Sequence, residues 1–191
     1  MLKDLEIQFL SDKSPFLLKN EVDTKINKLL YGAQRSILEV WQQDKNWHIP
    51  SIASKVPGKV SKGNNHQGFP YQVFDFPSIL DAKSLFSMRT MVWYGNHFSF
   101  NLLLKGSYVS YFLPRLPNLN HNSTYLSLNR NIWNVDFSAD DRILLNRTSF
   151  RDAENYFEKN QSIRLFRVFN MNQIMDINRL TSDCFIDWFK K

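Results

Sequence analysis

Apolar residues recur every three or four positions between Glu21 and Gln43: Val22, Ile26, Leu29, Leu30, Ala33, Ile37, Leu38 and Trp41 make one stripe. That period predicts a long amphipathic helix. Asn20 stands at its N-cap position, and Asp23 follows at the spacing of a capping box. Near the other end of the chain Leu180, Cys184, Phe185, Trp188 and Phe189 repeat the helical spacing and predict a helix over about 179–190. Ser149 with Asp152 marks a short helix near 150–159. The centre changes character. Runs rich in aromatic and β-branched residues at 71–76, 86–94, 97–104, 107–113, 125–129, 132–137 and 162–169 predict strands. Residues 44–70 hold Pro50, Pro57, Gly58, Gly63, Gly68 and Pro70 and predict an irregular segment, of a length that is uncommon in compact domains and often functional. Helix, then strands, then helices is an α+β order. The expected fold is mainly an antiparallel sheet with a meander at about 71–113, packed by a long N-terminal helix and a C-terminal helix. The 191 residues fit a single globular domain, 1–191.

Gly95-Asn96 is a two-residue hairpin signal, and taken as the turn it places Tyr94 opposite His97 and Trp93 opposite Phe98. Opposed residues share a face. One face then carries Met91, Trp93, Phe98, Phe100 and Leu102, with Arg89 at its end, and reads as core. The other carries Thr90, Val92, Tyr94, His97, Ser99 and Asn101, a half-polar surface of the kind that lines binding sites and also of the kind that simply faces water. An arginine among large apolar groups requires a carboxylate or access to solvent, and Asp75 on the neighbouring strand is the nearest candidate.

Composition narrows the class. Hydrophobic residues make up 43% and aromatics 15% of the chain, which favours a packed core over disorder. The start, MLKDLEIQFLSDKSPFLL, lacks the apolar run and cleavage site of a signal peptide, and no stretch approaches the roughly 20 apolar residues needed to span a bilayer. Cys184 is the only cysteine, so a soluble protein of the reducing cytoplasm is expected, with no membrane partner. The acceptor-like sequons at Asn122 and Asn146 carry no weight in that setting.

The charge is uneven. Nine of the 24 bases fall between Lys45 and Val135 against only Asp75 and Asp81, so this basic 45–135 region holds the whole positive excess, and either a dispersed charge or attraction for an anionic partner follows. Catalytic signatures are few. His48, His66, His97 and His121 show no metal-ligand spacing, and no metal or cofactor is expected. Cys184 lies on an apolar stripe, where a thiol is packing. Asp140-Asp141 after Ser138 reads as a capped helix start instead of a catalytic pair.

The segments Gly68-Phe-Pro-Tyr with Asp75-Phe-Pro, and Arg89-Thr-Met-Val-Trp-Tyr-Gly-Asn-His-Phe-Ser, resemble a set of uncharacterised proteins of the Bacteroidetes over about residues 55–106. No activity, cofactor or catalytic residue comes with that resemblance.

These readings converge on a soluble binding or interaction domain. Its candidate site is where the 59–66 loop meets the polar face of the 86–104 hairpin. Lys59 and Lys62 would attract a small anionic ligand, Asn64, Asn65 and His66 would hydrogen-bond it, and Tyr94, His97, Ser99 and Asn101 would form the floor. Two alternatives stand beside it: an enzyme using His66 or His97 as general acid–base, and a nucleic-acid-binding protein using the basic 45–135 region. The oligomeric state is open, and the aromatic content leaves room for an apolar dimer patch.

Overall fold

The computed structural model describes residues 1–119, 123–134, 139–145 and 150–191. Two N-terminal helices, α1 (Asp4–Ser11) and α2 (Ser14–Gln43), lead into a hairpin of β1 (Lys59–His66) and β2 (Phe69–Leu80). β3 (Leu85–Trp93), β4 (His97–Lys105), α3 (Ser107–Phe112), β5 (Tyr125–Ser127) and β6 (Arg142–Leu144) follow, then α4 (Phe150–Lys159), β7 (Ser162–Asn170) and α5 (Ile177–Phe189). The strands form one antiparallel seven-stranded sheet in the order β1-β2-β3-β4-β7-β5-β6. The α+β class expected from the periodicity is the one observed.

One sheet face carries the main core. Phe74, Val92, Phe98, Phe100 and Leu165 point from the strands toward Ile26, Leu30 and Ile37 of α2 and Phe185, Trp188 and Phe189 of α5. The apolar stripes of these two helices are therefore their buried faces. Fully burying each such side chain contributes about 1.5–3 kcal/mol. The opposite face is smaller and more polar, with two short apolar clusters, Val73–Met91–Trp93 and Leu85–Leu103–Ile132.

Several expected boundaries move. The long helix begins at Ser14, with Pro15 in its first turn, where a missing N–H and a fixed φ cost nothing. Asn20 is thus inside the helix and caps nothing, and Asp23 has other partners. The 107–113 segment is a helix and its flank, and the third strand of the meander is missing: β7 pairs with β4 along its whole length, from His97↔Asn170 to Lys105↔Ser162, so β4 has no edge left for it. Gly106, with φ 62°, turns the chain out of β4, and Val109 and Phe112, three apart, bury a helical face. Residues 132–134 form a turn with no strand pairing; the rest of the 132–137 run lies outside the described residues. Asp140-Asp141 belong to a short 3₁₀ turn that enters β6, and no helix starts there. Ser138, Ser149, His121 and the asparagines of both sequons lie outside the described residues, while the helix expected near 150–159 is α4.

The largest correction concerns the irregular segment. Residues 59–66 are strand β1, paired from Lys59↔Asp75 to His66↔Phe69, and joined to β2 through Gln67 and Gly68, both at positive φ. That is the geometry of a tight hairpin with a primed turn. Little in KVSKGNNH favours a strand; the pairing and an aromatic cover supply what propensity does not. Gly63 sits beneath the ring of Tyr71, so close that a Cβ there would meet ring atoms at 2.3 Å. Gly63→Val is accordingly expected to destabilise the fold by about 1–3 kcal/mol, measured by urea unfolding, although valine favours strands. In a Tyr71→Ala background, itself less stable, Gly63→Val should cost much less, because the clash is gone.

Candidate functional site

The β3–β4 hairpin turns over three residues instead of two. Val92 pairs with Phe98 and Met91 with Ser99, leaving Tyr94, Gly95 and Asn96 as the loop, with Gly95 at φ 73° and Asn96 N–H donating to Trp93 O at 3.1 Å. One residue of slip recombines the faces. Thr90 and Val92 join Phe98 and Phe100 on the helix-covered face, while Arg89, Met91 and Trp93 join His97, Ser99 and Asn101 on the other. The polar face expected from the sequence is therefore half right: its β4 residues stay together, and its β3 residues are replaced.

What the new face assembles is an aromatic corner. Trp93 is buried, and His66 and His97 both pack edge-on against it, with ring centroids 4.8 and 5.4 Å away. Tyr71 meets His66 at 6.0 Å and Phe69 meets Trp93 at 6.4 Å. Trp93 Nε1–H donates to the His66 carbonyl at 3.2 Å, which fastens the end of β1 to β3 across the tip of β2. Burial holds the pKa of the His97 imidazole below its ordinary value, and the nearby Arg164 charge acts in the same direction. Lys59 lies on this face of the sheet, opposite Asp75. Asn65 Oδ1 accepts from Gly68 N–H at 3.0 Å and so closes the hairpin turn, and Asn64 is exposed beside it at the irregularity in β1.

Lys62 and Tyr94 belong to a different place. Both approach Asp23 of α2: Tyr94 OH donates to Asp23 Oδ1 at 2.8 Å, and Lys62 Nζ lies 3.4 Å from Oδ2. Lys19 adds a second ammonium at 3.1 Å, and the buried Gln72 donates to Tyr94 OH at 2.7 Å. Burial raises the Asp23 pKa, but the hydrogen bonds from Tyr94 and Lys19 and the charges of Lys19 and Lys62 outweigh it and hold it low. The tyrosine is pushed up, by burial and by that carboxylate. Asp23 therefore occupies the anion position that Lys62 was expected to offer a ligand.

Deeper on the corner's face, Asp75 and Arg89 form a two-pronged pair, Nε to Oδ1 at 2.9 Å and Nη2 to Oδ2 at 2.8 Å. Ser87 Oγ donates to the same carboxylate at 2.8 Å, and the guanidinium lies 4.6 Å from the Trp133 ring. The carboxylate anticipated for Arg89 is thus present. Ser99 and Asn101 are buried beside it, Asn101 Nδ2 donating to Ser99 Oγ at 3.1 Å; they form no exposed floor. Among the described residues Asn101 Oδ1 has no hydrogen-bond partner.

Other features of the chain take structural roles. Cys184 is buried, and burial pushes its thiol up to about 12, far from the range of a nucleophile. Arg115 reaches the Trp188 carbonyl and Lys105 the Ala82 carbonyl, so the basic middle is partly engaged inside the fold. Among the described residues no group of three or more His, Cys, Asp or Glu is arranged to hold a metal ion, and no helix is long and apolar enough to cross a membrane. An open cleft of about 540 Å³ lies between α3 and the end of α4, lined by Ser107, Ser110, Phe157, Glu158 and Gln161, and it contains none of the residues singled out from the sequence. Sequence reasoning missed Tyr71 and Trp93 as partners of the histidines. The signal was the i, i+2 alternation of Tyr71, Val73 and Asp75 along β2, which puts Tyr71 on the face of Asp75.

The class these features define is an open antiparallel α+β sheet, helix-covered on one face and bearing an aromatic–imidazole corner on the other. No family model, curated protein or solved structure matches the chain.

Proposed function

We propose that this chain is a soluble, non-catalytic binding domain whose ligand contacts the Trp93 corner. The observation that carries the reading is the convergence of His66 and His97 on one buried tryptophan, at 4.8 and 5.4 Å. Apolar surface with a few convergent polar groups is what small-molecule sites require. Lys59 on the same face favours a small anionic ligand. So does the chemistry of the His97 imidazole: a bound anion stabilises the protonated ring, so affinity must rise as pH falls. His97 has its folded pKa depressed, so it is neutral near pH 7 and takes up its proton only below its ordinary range.

The test titrates inorganic phosphate, citrate and AMP singly into the protein, following Trp93 indole and backbone amide shifts by NMR. Shifts confined to residues 66–71 and 93–99, with affinity stronger at acidic than at neutral pH, are the expected result. His97→Phe keeps the packing and should weaken binding about tenfold or more. Shifts spread evenly over the lysines, or none with any of the three anions, would overturn the proposal. The nucleic-acid alternative predicts instead an affinity for oligonucleotides that falls steeply with salt.

A further inference from the structure

The N-terminal arm, residues 1–18, is the most apolar exposed surface among the described residues. Leu2, Leu5, Phe9, Leu10, Leu17 and Leu18 are all between 52% and 76% exposed, and α1 buries none of its residues. Among the described residues the one ring contact it makes is Phe9 with Phe16, 5.2 Å away at the start of α2. Yet α1 is a formed helix, closed at its N-terminus by Lys3 N–H donating to Glu6 Oε2 at 2.7 Å. An eight-residue helix has too little intrinsic stability to stand alone in water; it forms where something covers it.

Among the described residues the core does not supply that cover. Asp12 and Lys13 alone join α1 to α2, so α1 folding back reaches only about 12 Å along its neighbour. The first buried residue of α2 is Ile26, twelve residues and about 18 Å beyond Ser14. A membrane surface is also a poor match. The arm's charged side chains are Lys3 and Lys13 against Asp4, Glu6 and Asp12, without the cationic face of helices that lie on anionic lipid.

We infer that the arm is a homodimer interface, α1 and the first turns of α2 of one copy packing on the same segment of a second copy. The exposed Leu, Ile and Phe surface of the arm amounts to on the order of 900 Å², comparable to the ~800 Å² that each partner contributes to a stable interface. An isologous contact needs only a patch that complements itself, and a surface of leucines and phenylalanines does. Packing two such arms together places apolar groups from more than one side of α1 inward, which a flat surface would leave half exposed.

Sedimentation velocity on the full chain tests this, from about 1 to about 100 µM, beside the double variant Leu5→Glu/Phe9→Glu. The expected result is a species of twice the 22.6 kDa chain mass for the unaltered protein. In the double variant the dissociation constant should rise by at least about 100-fold, with near-UV circular dichroism unchanged because α1 lies off the core. A monomer at all concentrations would overturn the inference. So would a dimer indifferent to the double variant, or a monomer that floats with phosphatidylcholine–phosphatidylglycerol vesicles through Leu5 and Phe9.

Discussion

Replacing Arg167 by methionine is expected to lower the free energy of unfolding by about 3–5 kcal/mol, measured as a fall in the urea midpoint with an unchanged slope. Arg167 is 5% exposed on the helix-covered face of β7, where it ties sheet to helix. Its Nε–H donates to Thr124 Oγ1 at 2.8 Å, and Nη1–H to Asp187 Oδ2 at 2.7 Å. Trp188 Nε1–H donates to the same threonine hydroxyl at 3.4 Å, so β7, the entry to β5, and α5 meet at one point. Methionine fills most of the volume but removes the guanidinium that pairs with the Asp187 carboxylate, and the nearby Arg115 charge replaces it incompletely. That loss of pairing is the origin of the cost, since an ion pair in such a place is itself worth little against an apolar replacement. Arg167→Met/Asp187→Leu should therefore recover more than half of the loss. A single variant as stable as the unaltered protein, or a double variant worse than the single, would show that the pair is not what holds α5 to the sheet. Cys184, 3.6 Å from Nη1, supplies a second readout: although losing Arg167 disfavours its thiolate, the buried thiol reacts through opening of the fold and should be modified faster in the less stable Arg167→Met.

Asp75→Ala should cost about 2–4 kcal/mol, slightly less because both partners keep some contact with solvent. The carboxylate accepts three hydrogen bonds, two from Arg89 and one from Ser87, and alanine leaves all three donors facing a largely buried surface. Trp133 holds the guanidinium from the other side, so Arg89 cannot simply swing away. Thermal unfolding of Asp75→Ala, Arg89→Met and the double variant separates two roles for the arginine. If the pair is structural, the double variant is more stable than either single one. If Arg89 instead served as an anion clamp, Asp75→Ala would free it and phosphate would raise the melting temperature of that variant alone.

Much of the architecture was legible from period and turn chemistry. The stripes of α2 and α5, the runs of β2, β3, β4 and β7, and the turn near Gly95 follow from local spacing, because each strand or helix must bury whichever face its own sequence makes apolar. The face of β4 carrying His97, Ser99 and Asn101 was legible for the same reason. The cross-strand grouping was not. A two-residue and a three-residue turn differ by one residue of register, which leaves every alternation intact while exchanging the side of β3 that each β4 residue meets. Arg89 with Asp75 survived this exchange because both lie on neighbouring strands in any register that pairs them; Tyr94 and Thr90 did not.

By itself the sequence determined the class of fold, the buried faces of its two long helices and the alternation along its central strands, since these depend on residues a few positions apart. Tertiary structure alone decided that Lys59–His66 is a strand, that 107–113 is a helix, and that two histidines 31 positions apart share one tryptophan. The physical reason is common to all three. A strand's partner lies elsewhere in the chain, and its hydrogen bonds and side-chain cover come from residues that local propensity never sees. Tyr71 over Gly63 makes β1 possible, and β7 along β4 turns the 107–113 run into a helix.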